Sequence, residues 1–223
     1  MYMLLSLSFI RSAFRFPSPL TANNLLDITR KAPKRMNSIG YYSNDDLETK
    51  SFHLRVPESL KPFNLHGWTR NSKLSNDENY MDIVLLITRS SYKKGGSMGC
   101  IIVKDPSGKT DEEFYNAIIA ASTNKSLFIQ NGSDIHAEIS TIGQCAEQGL
   151  STRNATIYIT MPPCKKCFGA IVSAGIKRIV SNKHYEEQFK NAAKLHEIEL
   201  VHMGSIIEQQ KLRLDALIDV SKK

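Results

Sequence analysis

Two short stretches, His136-Ala137-Glu138 and Pro163-Cys164-Lys165-Lys166-Cys167, carry the chemistry of this chain and indicate how it folds. Together they offer one imidazole, two thiols and a spare carboxylate, and three such ligands around an open position suit a catalytic zinc ion. Because only two residues separate the cysteines, the first turn of one helix can present both sulfur atoms to a single metal. A helix N-terminus also favours the negative charge of thiolates. We therefore predict that His136, Cys164 and Cys167 bind one Zn²⁺ per chain.

Glu138 is the candidate catalytic residue, because it lies two positions after His136 and is not needed as a ligand. From there its carboxylate can lean over the metal and exchange protons with water. The alternative is an ordinary surface carboxylate, and a C-x-x-C pair alone also occurs in redox and structural zinc sites. The two motifs stand 28 residues apart, from 136 to 164, with strand and turn patterns between them. This combination favours a catalytic zinc site.

The combination of H-x-E with P-C-x-x-C resembles the zinc-dependent cytidine and deoxycytidylate deaminase superfamily, and the resemblance covers about residues 76–204. Within that superfamily the layout is most similar to fungal cytosine deaminase. The segments that carry this similarity are Met81-Asp82-Ile83, Tyr92-Lys93-Lys94-Gly95-Gly96, Met98-Gly99-Cys100, Asn124 and His136-Ala137-Glu138-Ile139-Ser140-Thr141. The segment Ser173–Arg178 is similar instead to deoxycytidylate deaminases.

The resemblance implies hydrolytic removal of the exocyclic amine of a nucleobase, nucleoside or nucleotide, with a cytosine derivative (cytosine, cytidine or deoxycytidylate) as the expected substrate. It also implies that Asn124 hydrogen-bonds the base or sugar, although an asparagine here also suits a turn. The backbone carbonyl of Pro162 would receive the departing amine, at a position where the family usually has another residue. The implied cofactor is zinc, the implied partner is a small molecule, and the implied assembly is a homodimer or higher oligomer.

Two other functions stay open at the level of sequence. One is a tRNA adenosine deaminase, which shares the zinc motif, and the other is a non-catalytic zinc-binding subunit of a deaminase complex. Such subunits often lose the glutamate that Glu138 supplies here. The net charge is +7, but residues 1–40 hold six basic residues and one acidic residue, so the rest of the chain carries only +2. This near-neutral remainder lacks the basic footprint of most polynucleotide-binding proteins.

Alternating apolar runs predict an α/β fold. The order α-β-β-α-β-α-β-α-β-α predicts a five-stranded mixed sheet inside a three-layer α/β/α sandwich, the cytidine deaminase-like architecture that the resemblance also implies. The predicted strands are at about 98–104, 116–122, 155–160, 177–181 and 198–202. Residues 110–113 are predicted to extend an acidic hairpin loop between the first two strands.

The chain divides into three predicted segments. Residues 1–40 have the arginine- and serine-rich composition of a mitochondrial transit peptide, which predicts the mitochondrial matrix, with a cytoplasmic or nuclear location as the alternative. Residues 41–75 are predicted to form a linker or a partly packed extension, and residues 76–223 the zinc-dependent deaminase domain. The extension has three candidate packing residues, Phe63, Leu65 and Trp68. No apolar run approaches the ~20 residues of a membrane-spanning helix, so no membrane partner is expected.

Overall fold

The computed structural model describes residues 56–89, 96–128, 130, 132–204 and 207–221, and the predicted transit peptide lies outside these ranges. The described chain forms a five-stranded mixed sheet with helices on both faces, which confirms the predicted fold class. The strands are β1 Gly99–Val103, β2 Ile118–Thr123, β3 Thr156–Ile159, β4 Arg178–Ser181 and β5 Glu199–His202. The helices are α1 Asn76–Arg89, α2 Asp111–Asn116, α3 Ala137–Glu147, α4 Lys165–Ser173, α5 Glu187–Leu195 and α6 Ile207–Ser221. Among them, none combines the length and apolar composition needed to cross a bilayer.

The order of the strands in the sheet is β2-β1-β3-β4-β5. The central strand pair β1 and β3 is antiparallel, as is β1 with β2, whereas β3, β4 and β5 run parallel. Consequently the end of β2, the beginning of β1 and the end of β3 meet at one edge of the sheet. That edge receives the loops that lead into α3 and α4.

Two layers of apolar side chains cover the sheet, one on each face. The layer that includes α1, α2 and α6 is rich in aromatic residues, and the rings of Tyr80 and Phe114 stack with their centroids 4.0 Å apart. The opposite layer contains Phe168, Ile171 and Phe189 from α4 and α5. Fully burying one such side chain contributes about 1.5–3 kcal/mol, so these layers supply most of the driving force for folding.

The described part of the segment before α1 packs against the first of these layers. Leu60 is fully buried and Trp68 is nearly so, while Phe63 and Leu65 contact the layer with partly buried side chains. The indole nitrogen of Trp68 donates a hydrogen bond of 3.3 Å to the carboxylate of Asp82 in α1. Arg70 adds an ion pair with Asp111 of α2, so both apolar burial and polar contacts join residues 56–75 to the sheet domain.

The prediction of a loop at residues 110–113 was wrong, because this segment begins the short helix α2. Thr110 accepts a hydrogen bond from the backbone N–H of Glu113, and the Glu113 carboxylate accepts one from the backbone N–H of Thr110. This reciprocal capping satisfies two N–H groups that a helix start otherwise leaves unpaired. Acidic side chains in the first turn also complement the helix dipole. Six residues are too few for the helical periodicity that would have revealed α2 in the sequence.

An ion pair joins the first turn of α1 to the beginning of β4. The guanidinium of Arg178 donates hydrogen bonds of 2.8 and 2.7 Å to the two carboxylate oxygens of Asp77. The hydroxyl of Tyr158 donates a third, of 2.7 Å. Burial by itself raises the pKa of Asp77, but the hydrogen bonds from Arg178 and Tyr158 outweigh it and leave that pKa below its ordinary value.

We expect Asp77→Asn to lower the free energy of unfolding by about 2 kcal/mol at pH 7, the typical worth of hydrogen bonds to a charged group. Because the folded pKa of Asp77 is depressed, its stabilisation is complete above the ordinary carboxyl pKa and is lost as pH falls through the folded value. Urea unfolding at pH 7, 5 and 3 should therefore show the gap between wild type and variant closing toward low pH. Glu199→Gln is the control, since the exposed Glu199 carboxylate also pairs with Arg178 and should contribute much less.

Candidate metal centre and active site

The two helices that carry the sequence motifs begin side by side at the edge where β2 and β3 end. His136 is the residue that precedes the first turn of α3, and Cys164 holds the same position before α4. Both have extended backbone conformations and neither side chain caps its own helix, so both are available to a ligand. Cys167 lies in the first turn of α4 and is almost fully buried.

These three side chains converge. The Nδ1 atom of His136 lies 3.7 Å from the Sγ atom of Cys164 and 3.4 Å from that of Cys167. Zinc–nitrogen and zinc–sulfur bonds at a tetrahedral angle separate their donor atoms by about 3.5 Å, so the imidazole and thiol groups fit a zinc ion. Within the described ranges, this is the one cluster of at least three His, Cys, Asp or Glu residues whose ligand atoms converge on a metal-sized space.

The other two cysteines lie outside the cluster. Cys100 in β1 and Cys145 in α3 are both buried. Burial raises the pKa of the Cys100 thiol, and the nearby charge of Glu138 raises it further. Burial and Glu138 also raise the pKa of Cys167. Because zinc binds thiolate, metal binding must displace the proton that this environment holds on Cys167.

Glu138 faces a cavity of about 280 Å³ beside the ligand cluster. Its side chain is only 7% exposed, which excludes the alternative of an ordinary surface carboxylate. Polar residues from several loops and apolar residues from the sheet also line this cavity. Its lining residues are Gly96, Met98, Gly99, Asn124, Ser133, His136, Glu138, Ile159, Thr160, Met161, Pro162 and Cys164. All five of the predicted site residues on this list, together with the adjacent Cys167, are therefore gathered at one site.

Asn124 forms part of the cavity wall, and protein groups already use its amide. Its Oδ1 atom accepts a hydrogen bond of 3.0 Å from the backbone N–H of Met98. Its Nδ2 atom donates to the Ser133 hydroxyl at 2.6 Å and to the Gly96 carbonyl at 3.2 Å. Asn124 thus fastens the loop before β1 to the loop before α3. Pro162 also lines the cavity, from the loop between β3 and Cys164.

The sequence analysis did not predict seven of the twelve lining residues as site residues, among them Ser133, Met98 and Thr160. Ser133 lies in an irregular loop. Met98 precedes β1 and Thr160 follows β3, and the apolar runs of these strands indicate a buried core rather than a binding site. The hydroxyl of Thr160 donates to the Met98 sulfur at 3.2 Å, although the two residues are 62 positions apart. The one sequence signal for Ser133 is its position between Asn124 and the H-x-E motif.

Comparison with known proteins identifies the family. The family model described as the cytidine and deoxycytidylate deaminase zinc-binding region matches residues 74–183, which include His136, Glu138 and both cysteine ligands. A tRNA-specific adenosine deaminase of Buchnera aphidicola subsp. Schizaphis graminum is 32% identical over 122 residues, covering 53% of this chain and 74% of that protein. This chain belongs to the cytidine and deoxycytidylate deaminase family. It is accordingly a zinc-dependent hydrolytic deaminase.

Other relatives of this deaminase differ in the substrates that their names specify. The cytosine deaminase of Candida albicans is 26% identical over 112 residues, covering 49% of this chain and 67% of that protein. The solved structure of the dCMP deaminase from the cyanophage S-TIM5 aligns with a TM-score of 0.47 at 25% identity, covering 57% of this chain and 96% of that one. The Buchnera and Candida relatives are named for different substrates, so membership of the family establishes the chemistry of the deaminase and leaves its substrate open.

Proposed function

We propose that this deaminase hydrolyses the exocyclic amine of a cytosine derivative: cytosine, cytidine or deoxycytidylate. The observation that carries the proposal is the position of Glu138, a buried carboxylate in the same cavity as two of the metal ligands. Among the described residues, Glu138 forms no ion pair. A buried carboxylate beside a metal cluster and without an ion-pair partner suits proton transfer to a bound ring better than it suits a structural role.

Each residue of the site has a separate role in the proposed reaction. His136, Cys164 and Cys167 hold zinc, which when bound supplies Lewis acidity that makes water nucleophilic near neutral pH. Glu138 accepts a proton from the attacking water and delivers it to the ring nitrogen beside the carbon under attack. The same carboxylate then takes the second proton of the added water from the new hydroxyl and passes it to the amine as the carbon–nitrogen bond breaks. Ammonia leaves, the ring carbon keeps the water oxygen as a carbonyl, and the carbonyl of Pro162 accepts a hydrogen bond from the departing amine.

The size and composition of the cavity favour a small ring. Its volume of about 280 Å³ lies at the lower limit of ligand pockets, which typically span about 300–1,000 Å³. Met98, Ile159 and Met161 offer apolar contacts for the faces of a planar base. The near-neutral charge outside residues 1–40 also favours a small molecule over a polynucleotide.

A tRNA adenosine deaminase is the second candidate, because the Buchnera relative has that activity in its name and aligns over most of its length. A screen of the zinc-loaded protein separates the two candidates. The substrates are cytosine, cytidine, deoxycytidine, deoxycytidylate, guanine and tRNA, and the measurements are ammonia release and the mass of the product. We expect turnover of a cytosine derivative. Turnover of tRNA alone would support the second candidate, and no turnover at all would contradict both. Light scattering of the same sample tests the expected homodimer or higher oligomer.

We also propose that residues 1–40 direct the deaminase to mitochondria. The support is their composition, with arginines at 11 and 15 and no acidic residue before Asp27. A fluorescent protein fused to residues 1–40 should therefore enter mitochondria in living cells. The matched control replaces Arg11 and Arg15 by glutamate, which should leave the fluorescence in the cytoplasm. A diffuse signal from the unmodified fusion would contradict the proposal.

A further inference from the structure

A second cavity lies between α6 and the segment that precedes α1, and it shares no lining residue with the cavity beside Glu138. Its volume of about 590 Å³ is within the range of about 300–1,000 Å³ that is typical of ligand pockets. We propose that this second cavity binds a small organic anion, a carboxylate carried on an apolar chain. The inference goes beyond the proposed deaminase function and does not depend on it. The lining residues are Gly67, Trp68, Thr69, Arg70, Asn71, Ser72, Asp82, Arg213, Leu214, Ala216, Leu217 and Val220.

The second cavity is built mainly from parts of the chain outside the zinc-binding region. The family model covers residues 74–183, whereas eleven of the twelve lining residues lie at 67–72 or 213–220. Asp82 is the one lining residue inside the matched region. The site therefore belongs to the segments that flank the zinc-binding region in this chain, and not to the part on which membership of the family rests.

Apolar side chains form one part of the wall of the second cavity. Trp68 and Leu214 are buried, Leu217 is partly buried, and Val220 is 73% exposed. An apolar ligand chain that covers these side chains removes both surfaces from water. Each methylene group buried in this way should raise the affinity about fourfold.

Arg213 supplies the polar part of the wall. Its Nε and Nη2 atoms donate to the two carboxylate oxygens of Asp82, at 3.2 and 2.7 Å. Its other terminal nitrogen, Nη1, donates to no group in the described part of the chain, and the side chain is 33% exposed. A guanidinium has only donors, so Nη1 can give its hydrogens to an acceptor in the cavity. Thr69 and Ser72, which are both exposed, add hydroxyl groups to the same wall.

The hydrogen bonds of Asp82 favour an anionic ligand over a cationic one. The Asp82 carboxylate is fully buried and accepts two bonds from Arg213, one from the Trp68 indole and one from the Gln210 amide. These bonds use the roughly four acceptor sites of a carboxylate, which leaves none for a cation or a donor. The strongest polar group left to the cavity is therefore the Arg213 donor. A ligand carboxylate matches it, because a charge-assisted hydrogen bond is about twice as strong as a neutral one.

Trp68 is the single tryptophan of the chain, so its fluorescence and its indole N–H resonance report on this cavity. Hexanoate added to the full-length, zinc-loaded protein should shift both signals in a saturable way. Hexanol lacks the carboxylate and should bind at least about 10-fold more weakly. Butanoate is two methylene groups shorter and should bind about 15-fold more weakly. No saturable shift with hexanoate, or equal affinities for hexanoate and hexanol, would overturn the inference.

Two substitutions on α6 form a matched pair. Val220 and Leu212 are similarly exposed, at 73% and 69%, but only Val220 lines the cavity. Val220→Glu should weaken hexanoate binding at least about 10-fold, because it removes an apolar contact and places a like charge beside the ligand. Leu212→Glu should stay within about twofold of wild type. Equal losses in the two variants would contradict the placement of the site, and a lower mass of Val220→Glu in light scattering would show that a second copy of the chain covers the cavity instead.

Arg213→Lys tests the polar contact by itself. Lysine keeps a positive charge beside Asp82 but lacks the planar fork that can serve two carboxylates at once. Hexanoate should therefore bind about 10-fold more weakly, whereas the affinity for hexanol should not change. A similar loss for both ligands, or for neither, would contradict the role of Arg213. Deaminase turnover plays no part in these measurements, so a failed substrate screen would overturn the proposed function and leave this inference intact.

Discussion

Glu138→Gln is expected to reduce kcat by about 10²–10⁴-fold, because general acid–base groups typically contribute that much to a reaction rate. One carboxyl serves both the attack of water and the departure of ammonia, so the loss should lie at the upper end of that range. Glutamine keeps the size of the side chain but cannot carry a proton between these steps. Since Glu138 is not a ligand, zinc content measured by elemental analysis should stay at one per chain.

The control for this variant lies on the same helix. Glu147→Gln removes an exposed carboxylate at the last residue of α3, far from the first turn that carries Glu138. Its turnover, zinc content and circular dichroism should match wild type. If Glu138→Gln instead retained near-wild-type turnover, the assignment of Glu138 as the proton carrier would be wrong.

Cys164→Ala is expected to lose most of the bound zinc and, with it, all measurable turnover. Zinc binding at a structural site contributes about 10–16 kcal/mol, so removing one of three protein ligands should weaken binding by several orders of magnitude. Stability should fall as well, because a ligand that binds only the folded state stabilises it by mass action. Elemental analysis gives the zinc content, and thermal unfolding with and without added zinc gives the loss of stabilisation.

Cys145→Ala is the matched control for ligand loss, since Cys145 is a buried thiol in α3 that lies outside the converging cluster. It should keep a full complement of zinc even if removing its sulfur lowers stability slightly. One zinc per chain retained by Cys164→Ala, or zinc lost by Cys145→Ala, would show that the ligands are assigned incorrectly.

The sequence was sufficient to predict a set of side chains that the structure brings together at one site. The spacing of the two motifs predicts that both lie at helix starts. There the ligands His136, Cys164 and Cys167 converge, and Glu138 lies beside them. Strands were also predictable where a short run is buried along its whole length, as in β1 and β3. β3, for example, was predicted at 155–160 and lies at Thr156–Ile159.

The short helix α2 shows where local patterns stop being informative. Thr110 and Glu113 have the spacing of a capping pair, but six residues present no repeating apolar face that separates a helix from a polar loop. Its stability depends on packing as well as on capping. Phe114 and Tyr115 bury their rings against Trp68, which is more than 40 positions away in the sequence.

The tertiary structure alone decided how the cavity is closed. The strand order β2-β1-β3-β4-β5 brings the end of β2 beside the beginning of β1. This places Asn124 within hydrogen-bonding distance of Met98 and Gly96, which precede it by 26 and 28 positions. Motif spacing reveals which side chains can react, because reactivity belongs to the residue type. It cannot show how Asn124 distributes its hydrogen bonds among Met98, Gly96 and Ser133, because those partners are chosen only when distant segments of the chain meet.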